Sequence, residues 1–168
     1  MMQTNVRSSR RRRRRERGQT LAEFALVAPI FFLLVFGFID MARLYQSWVT
    51  IQHAAREGAR YGVTGRADCN IASPTREACI EHVARTQTEG LNNPAGDLTV
   101  GFRSWDYPAY ANPALDDSPG EQCDAIEVNV GYAFSAATPI LSQIIGEFHI
   151  TARERLVNEP FGPCAAAS

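Results

Sequence analysis

The chain has 168 residues, enough for one ordinary domain with an appendage and too few for two full domains. Its 45% hydrophobic and 21% charged content excludes a disordered or collagen-like polypeptide. The net charge of −1 hides a sorted distribution: up to Gly18 eight arginines stand against Glu16 alone, giving +7, and the nine basic against seventeen acidic residues of the remainder give −8.

The basic block, Arg7, Arg10 to Arg15 and Arg17, would suit phosphate neutralisation, yet no aromatic residue interleaves it and no recognition element follows. Nucleic acid is therefore not an expected partner. Ser9-Arg10-Arg11 resembles the opening of a twin-arginine export signal, but the apolar stretch starts only at Leu21 and has the strong hydrophobicity of an anchor. From Leu21 to Ile39 the only charge is Glu23. At 1.5 Å rise per residue this run spans roughly 28 Å, close to the ~30 Å hydrocarbon core of a bilayer. A single membrane-spanning helix is expected, its N-terminus held in the cytoplasm by the arginines and the chain beyond Asp40 delivered across.

No pair of small residues spaced for signal cleavage follows the span, which ends Gly37-Phe38-Ile39-Asp40-Met41-Ala42. Before it stands a different combination: a Gly ending a basic leader, with a Glu five residues further at the mouth of an apolar helix. The stretch Arg17-Gly18-Gln19-Thr20-Leu21-Ala22-Glu23-Phe24-Ala25-Leu26-Val27-Ala28-Pro29, with Asp40-Met41-Ala42-Arg43-Leu44 and Ala54-Ala55-Arg56-Glu57-Gly58-Ala59-Arg60-Tyr61, resembles the TadE-like family. Its members look like minor pilins or pseudopilins of the tight-adherence (Flp-type) pilus apparatus. The resemblance covers Arg17 to Tyr61 and is thin afterwards. It implies processing by a prepilin peptidase between Gly18 and Gln19, which puts Glu23 at the fifth mature position and Phe24 beside it as an assembly contact. The partners implied are other pilin and pseudopilin subunits, the peptidase, the inner-membrane assembly machinery and the lipid bilayer.

The chemistry of Glu23 points the same way. A carboxylate inside a spanning helix costs about 2.5 to 3.5 kcal/mol at the centre and less near an end. In pilin-type assembly the proposed partner is the α-amino group of a neighbouring subunit; the alternative is a headgroup-level pairing with Arg17. Pro29 removes one backbone hydrogen bond within the span.

Beyond the span the helix continues. Leu44, Trp48, Ile51, Ala55, Gly58 and Gly62 recur at three- and four-residue spacing, and Gly62 and Gly65 end it. Ala54, Ala55, Gly58, Ala59 and Gly62 would allow close approach of a partner, either the globular domain or a neighbouring helix. Tyr45 and Trp48 lie where interfacial aromatics are favoured. Ser73-Pro74 predicts the start of a second short helix with a face of Cys79, Ile80, Val83, Ala84 and Gln87, closed by Gly90. Strands are expected over 98–102, 125–134 and 148–156, a loop over 107–122 and a helical turn over 139–145.

Cys69, Cys79, Cys123 and Cys164 all fall on the exported side, where disulfides form. Four cysteines allow three connectivities that spacing does not choose among. The expected pairs are Cys69 with Cys79 and Cys123 with Cys164, each contributing roughly 2 to 4 kcal/mol. No C-x-x-C pair suggests a metal site. His53, His82 and His149 sit in no nucleophile or zinc spacing, and His53–Glu57 and Glu77–Glu81 read as helix-face pairs. No catalytic residue, cofactor or metal is expected.

The expected architecture is α+β: a long N-terminal pilin-like helix, transmembrane then amphipathic, packed on a small antiparallel sheet with one further helix. Its parts are a basic cytoplasmic leader (1–18), a transmembrane helix (19–40), an amphipathic continuation (41–64) and an extracytoplasmic disulfide-stabilised domain (65–168). The expected protein is a structural subunit of the bacterial inner membrane, single-pass, with its C-terminal domain periplasmic and a place in a surface pilus. Two other readings stand beside it: an unprocessed bitopic protein with a periplasmic ligand-binding domain, and an anchored enzyme.

Overall fold

A computed structural model describes residues 6–91, 97–110, 115–139, 142–143, 146–160 and 163–164, with side chains from residue 19 onward. The chain divides into two units, Met1–Met41 and Ala42–Ser168. Helix α1, Val6–Gly62, runs through both; α2 is Arg76–Thr86, and four strands follow: β1 Leu98–Trp105, β2 Leu115–Asp116, β3 Ala125–Ser135 and β4 Glu147–Val157. All pairings are antiparallel and the sheet order is β2-β1-β3-β4. The fold is α+β.

In the second unit the period-two alternation of β3 sets the core. Ile126, Val128, Val130, Tyr132 and Phe134 are buried on one face, and the register aligns them with Leu98, Val100 and Phe102 of β1 and with Ile150, Ala152 and Leu156 of β4. The part of α1 from Ala42 lays Ile51, Ala54, Ala55 and Ala59 into the same core, and α2 adds Ile80 and Ala84. Each fully buried Ile or Val here contributes about 1.5 to 3 kcal/mol.

The small-residue stripe of α1 is thereby explained. A Cβ on Gly58 would lie 3.3 Å from Ala84 Cβ and 3.4 Å from Val128 Cγ1, and one on Gly62 only 2.8 Å from Ile126 Cδ1. The chain's own α2 and β3 occupy the space. Trp48 departs from the expected stripe: it is 43% exposed and packs against exposed Tyr45 at 6.2 Å, while Ser47 is buried. The buried line of the helix passes through Ser47, Ile51, Ala54 and Gly58 at the 3.6-residue period, leaving Trp48 one step outside it.

Helix α2 begins later and ends earlier than expected. Thr75, not Ser73, is the N-cap, its Oγ1 accepting from Ala78 N at 3.2 Å, because only that hydroxyl reaches the third helical amide. At the other end Gln87 caps the helix, and buried Thr88 donates its hydroxyl to Arg85 O at 2.7 Å, so the terminal carbonyl is satisfied before Gly90. Strands β1, β3 and β4 extend the expected segments by one to three residues at their ends. The expected loop over 107–122 contains β2, which pairs with Arg103 and Ser104 and is held by Arg103 Nε donating to Asp116 Oδ1 at 2.9 Å. Within the expected turn over 139–145, Pro139, Ser142 and Gln143 are helical; residues 140, 141, 144 and 145 lie outside the described ones.

The C-terminus of α1 is closed by a side chain from another element. Arg76, at the first position of α2, donates to Gly62 O from Nε at 3.2 Å and from its terminal nitrogen at 2.9 Å, and its other terminal nitrogen donates to Gly120 O. One guanidinium thus joins α1, α2 and the loop before β3. Burial lowers the Arg76 pKa from its ordinary value, with Glu77 and Asp124 acting in the opposite direction. It stays charged throughout the accessible pH range.

This packing sets how substitutions at Gly62, Gly101 and Arg76 act on stability. Gly62→Val should destabilise the full-length protein in detergent by about 1 to 3 kcal/mol through overpacking. Gly101→Val, where a Cβ meets nothing within 4 Å, should be nearly neutral in the same thermal melts. Arg76→Ala should cost about 1.5 to 3 kcal/mol by leaving two carbonyls without a charged donor, and Arg76→Lys should restore less than half of the loss because an ammonium lacks the fork geometry.

Candidate membrane and assembly segment

In the first unit the side chains from Leu21 to Ile39, Glu23 apart, are apolar, and nearly all of them are exposed around α1. Leu21, Phe24, Leu26, Ile30, Phe31, Leu34 and Phe38 are all exposed, Phe24 to 66%. Contacts within this stretch are lateral ones along the helix, such as Phe32 stacked on Phe36 at 6.2 Å. The helix from Gln19 to Gly62 is long and apolar enough to cross a membrane. A helix apolar all round belongs in lipid or in a large core. Pro29 lies inside it, where its ring nitrogen donates no hydrogen bond.

Glu23 is the single charge between Leu21 and Ile39, and its Oε1 accepts a hydrogen bond from Gln19 Nε2 at 3.1 Å, one turn earlier. Four of the residues singled out from the sequence therefore fall on consecutive turns of one helix: Gly18, Gln19, Glu23 and Phe24. Arg17, the alternative partner of Glu23, is in α1 but outside the described side chains. Within α1, Glu23 and Phe24 leave their side chains on the exposed surface.

Residues 18–60 match the model of the TadE-like protein family. This segment is TadE-like. The match begins at the glycine preceding Gln19 and ends inside α1, two residues short of its C-terminus, so the TadE-like segment is one stretch of helix and the sheet lies outside it. No curated protein and no solved structure matches the chain.

All four cysteines lie in the second unit. Cys69 is bonded to Cys79 with a Cα–Cα distance of 5.4 Å, and Cys123 to Cys164 at 5.7 Å, the pairs named from the sequence. The first anchors the connection between α1 and the first turn of α2. The second ties residue 164 to the turn that precedes β3. Asp124 organises that turn, its carboxylate accepting from Tyr107 N at 2.9 Å and from Glu121 N at 2.8 Å. Buried Asn158 donates its amide to Pro119 O and Glu121 O at 3.1 and 2.6 Å.

Several of these polar residues escape a reading of the sequence. Arg76, Asp124 and Asn158 are isolated polar residues in loops or at a helix start, and only the chain crossing brings them together. The stacking of Arg155 on Trp105, 3.9 Å from guanidinium carbon to ring centroid, is equally hidden. It was open to inference from the pairing of β1 and β4 on either side of β3, which puts small Ala125 between Trp105 and Val157. Of the helix-face pairs, Glu81 bonds Arg85 at 2.7 Å and not Glu77. His53 and Glu57 are both exposed.

Beside the first disulfide, the Tyr61 hydroxyl donates to Asp68 Oδ1 at 3.1 Å and accepts from Asp68 N at 3.2 Å. Burial and this donation to the carboxylate raise the Tyr61 pKa above its ordinary 10.0. A group that holds its proton more tightly in the folded state stabilises it below the unfolded pKa, and the gain vanishes as pH rises through the folded value. The melting temperature should therefore fall as pH rises above about 10, the unfolded tyrosine value. Tyr61→Phe should reduce that slope, measured by melts across alkaline pH.

Proposed function

We propose that the chain is a pilin-like structural subunit of a tight-adherence (type IV-related) pilus system, and that it acts in filament assembly and not in catalysis. The observation that carries this reading is the TadE-like match itself, which starts at Gly18 and encloses an apolar, outward-facing run from Leu21 to Ile39 with Glu23 as its single charge. In this proposal α1 anchors the protein in the bacterial inner membrane. The arginine block stays in the cytoplasm and the disulfide-bonded domain folds in the periplasm.

A prepilin peptidase cuts between Gly18 and Gln19, removing the leader with its +7 charge. What leaves with it is the barrier to extraction, since a block of arginines cannot follow the helix through lipid. What remains is an apolar rod with Glu23 near its end. In a bilayer that carboxylate seeks a hydrogen-bond donor from a neighbouring subunit, and Phe24 packs alongside. Contact between Glu23 and a neighbour sets the axial position of one subunit against the next, because a single polar pair in an apolar interface penalises every other register.

Glu23→Ala removes the single charge between Leu21 and Ile39, a cost to insertion, and leaves the rest of the helix unchanged. The variant should insert into membranes at least as well as the parent, yet be lost from sheared surface filaments and reduce piliation. Normal assembly by this variant would refute the role given to Glu23. Mass analysis of the membrane-extracted protein reads the processing step directly, since cleavage removes residues 1–18.

A further inference from the structure

Gln19 carries chemistry that the assembly reading does not use. Inside the uncut chain its nitrogen is a backbone amide of α1, which is no nucleophile. Cleavage after Gly18, the reading on which this inference rests, converts that nitrogen into a primary amine attached to a glutamine. Such an amine is one ring closure from its own side-chain Cδ. Glu23 already holds the group that would depart: its Oε1 accepts from Gln19 Nε2 at 3.1 Å.

We propose that Gln19 is a modification site, closing to pyroglutamate once it becomes the N-terminus, with Glu23 as the acid–base group for the closure. The amine nitrogen attacks Cδ and a new N–Cδ bond forms. The Cδ–Nε2 bond breaks, and Nε2 leaves as ammonia. Glu23 accepts the proton released by the attacking nitrogen and returns it to the departing Nε2, so the carboxylate is regenerated. Nothing is oxidised or reduced, and no co-reactant is consumed.

Two physical features favour the product. A charged group is costly within an apolar layer, and closure exchanges an ammonium for a neutral lactam. The lactam keeps one N–H, so it still offers Glu23 a hydrogen-bond donor. Where subunits meet, the contact to Glu23 would then be a hydrogen bond from a neutral donor and not an ion pair. The leader has a second effect in this scheme: until it is cut, it blocks the ring closure.

The test is N-terminal peptide mass spectrometry of full-length protein produced with its processing peptidase and extracted from membranes, followed over time after extraction. A chain that begins at residue 19 and is lighter by one ammonia supports the proposal. A chain that begins at residue 19 and keeps a free amine overturns the closure while leaving processing intact. A chain that retains residues 1–18 overturns the processing reading and the closure with it. Gln19→Ser, processed at the same site, should show no loss of ammonia; a loss there would place the reaction elsewhere and refute the assignment. Glu23→Gln should close about a hundredfold more slowly, the scale of a positioned acid–base group, so that its free-amine form accumulates. Equal rates for that variant and the parent would overturn the part given to Glu23.

Discussion

The second unit depends on how closely α1 can approach β3 and α2. Alanine and glycine at positions 54, 55, 58, 59 and 62 leave the helix almost bare on one side, and the bulk is supplied from the opposite wall by Ile80, Ile126, Val128 and Val130. Volume is thus divided asymmetrically across one interface. A helix bearing large residues there would stand further off, and the sheet's inner face would lose its cover. The same asymmetry explains why a sheet of only four strands, one of them two residues long, has a continuous core.

The first unit obeys an opposite rule. From Leu21 to Ile39 its side chains, Glu23 apart, are apolar, and most of them are exposed. Along a single helix the chemistry therefore changes from a surface that suits lipid to one that suits a protein core. Tyr45 and Trp48 fall where the change occurs, each with an apolar ring and a polar atom able to meet water. The family match crosses this change, covering the lipid-type stretch and the packed stretch of the helix up to residue 60 but none of the sheet.

Much of this was legible from residue order alone. The long helix and its end near Gly62, the second helix and the three long strands each follow from a periodicity or a turn signal that is local in sequence. What was not legible is long-range. The cap of α2 moved to Thr75 because two hydroxyls and a proline compete within three residues, and only geometry decides which oxygen meets Ala78 N. Strand β2 has two residues and no pattern of its own; β1 and the Arg103–Asp116 pair create it. Trp48 was misplaced because an aromatic residue at helical spacing looks the same whether it faces a core or an interface. In the membrane-type stretch, Glu23 was evident as a charge in an apolar run, whereas its bond to Gln19 needed coordinates.

The guanidinium of Arg76 bears on the order in which the domain matures. It lies 14 residues beyond Gly62 and 44 before Gly120, the two carbonyls it bridges. A ribosome makes the chain from one end, so the guanidinium can take its two bonds to Gly62 O long before its third acceptor, Gly120 O, exists. Until the segment around Gly120 emerges, the junction of α1, α2 and the loop before β3 is incomplete, and it closes only late in synthesis.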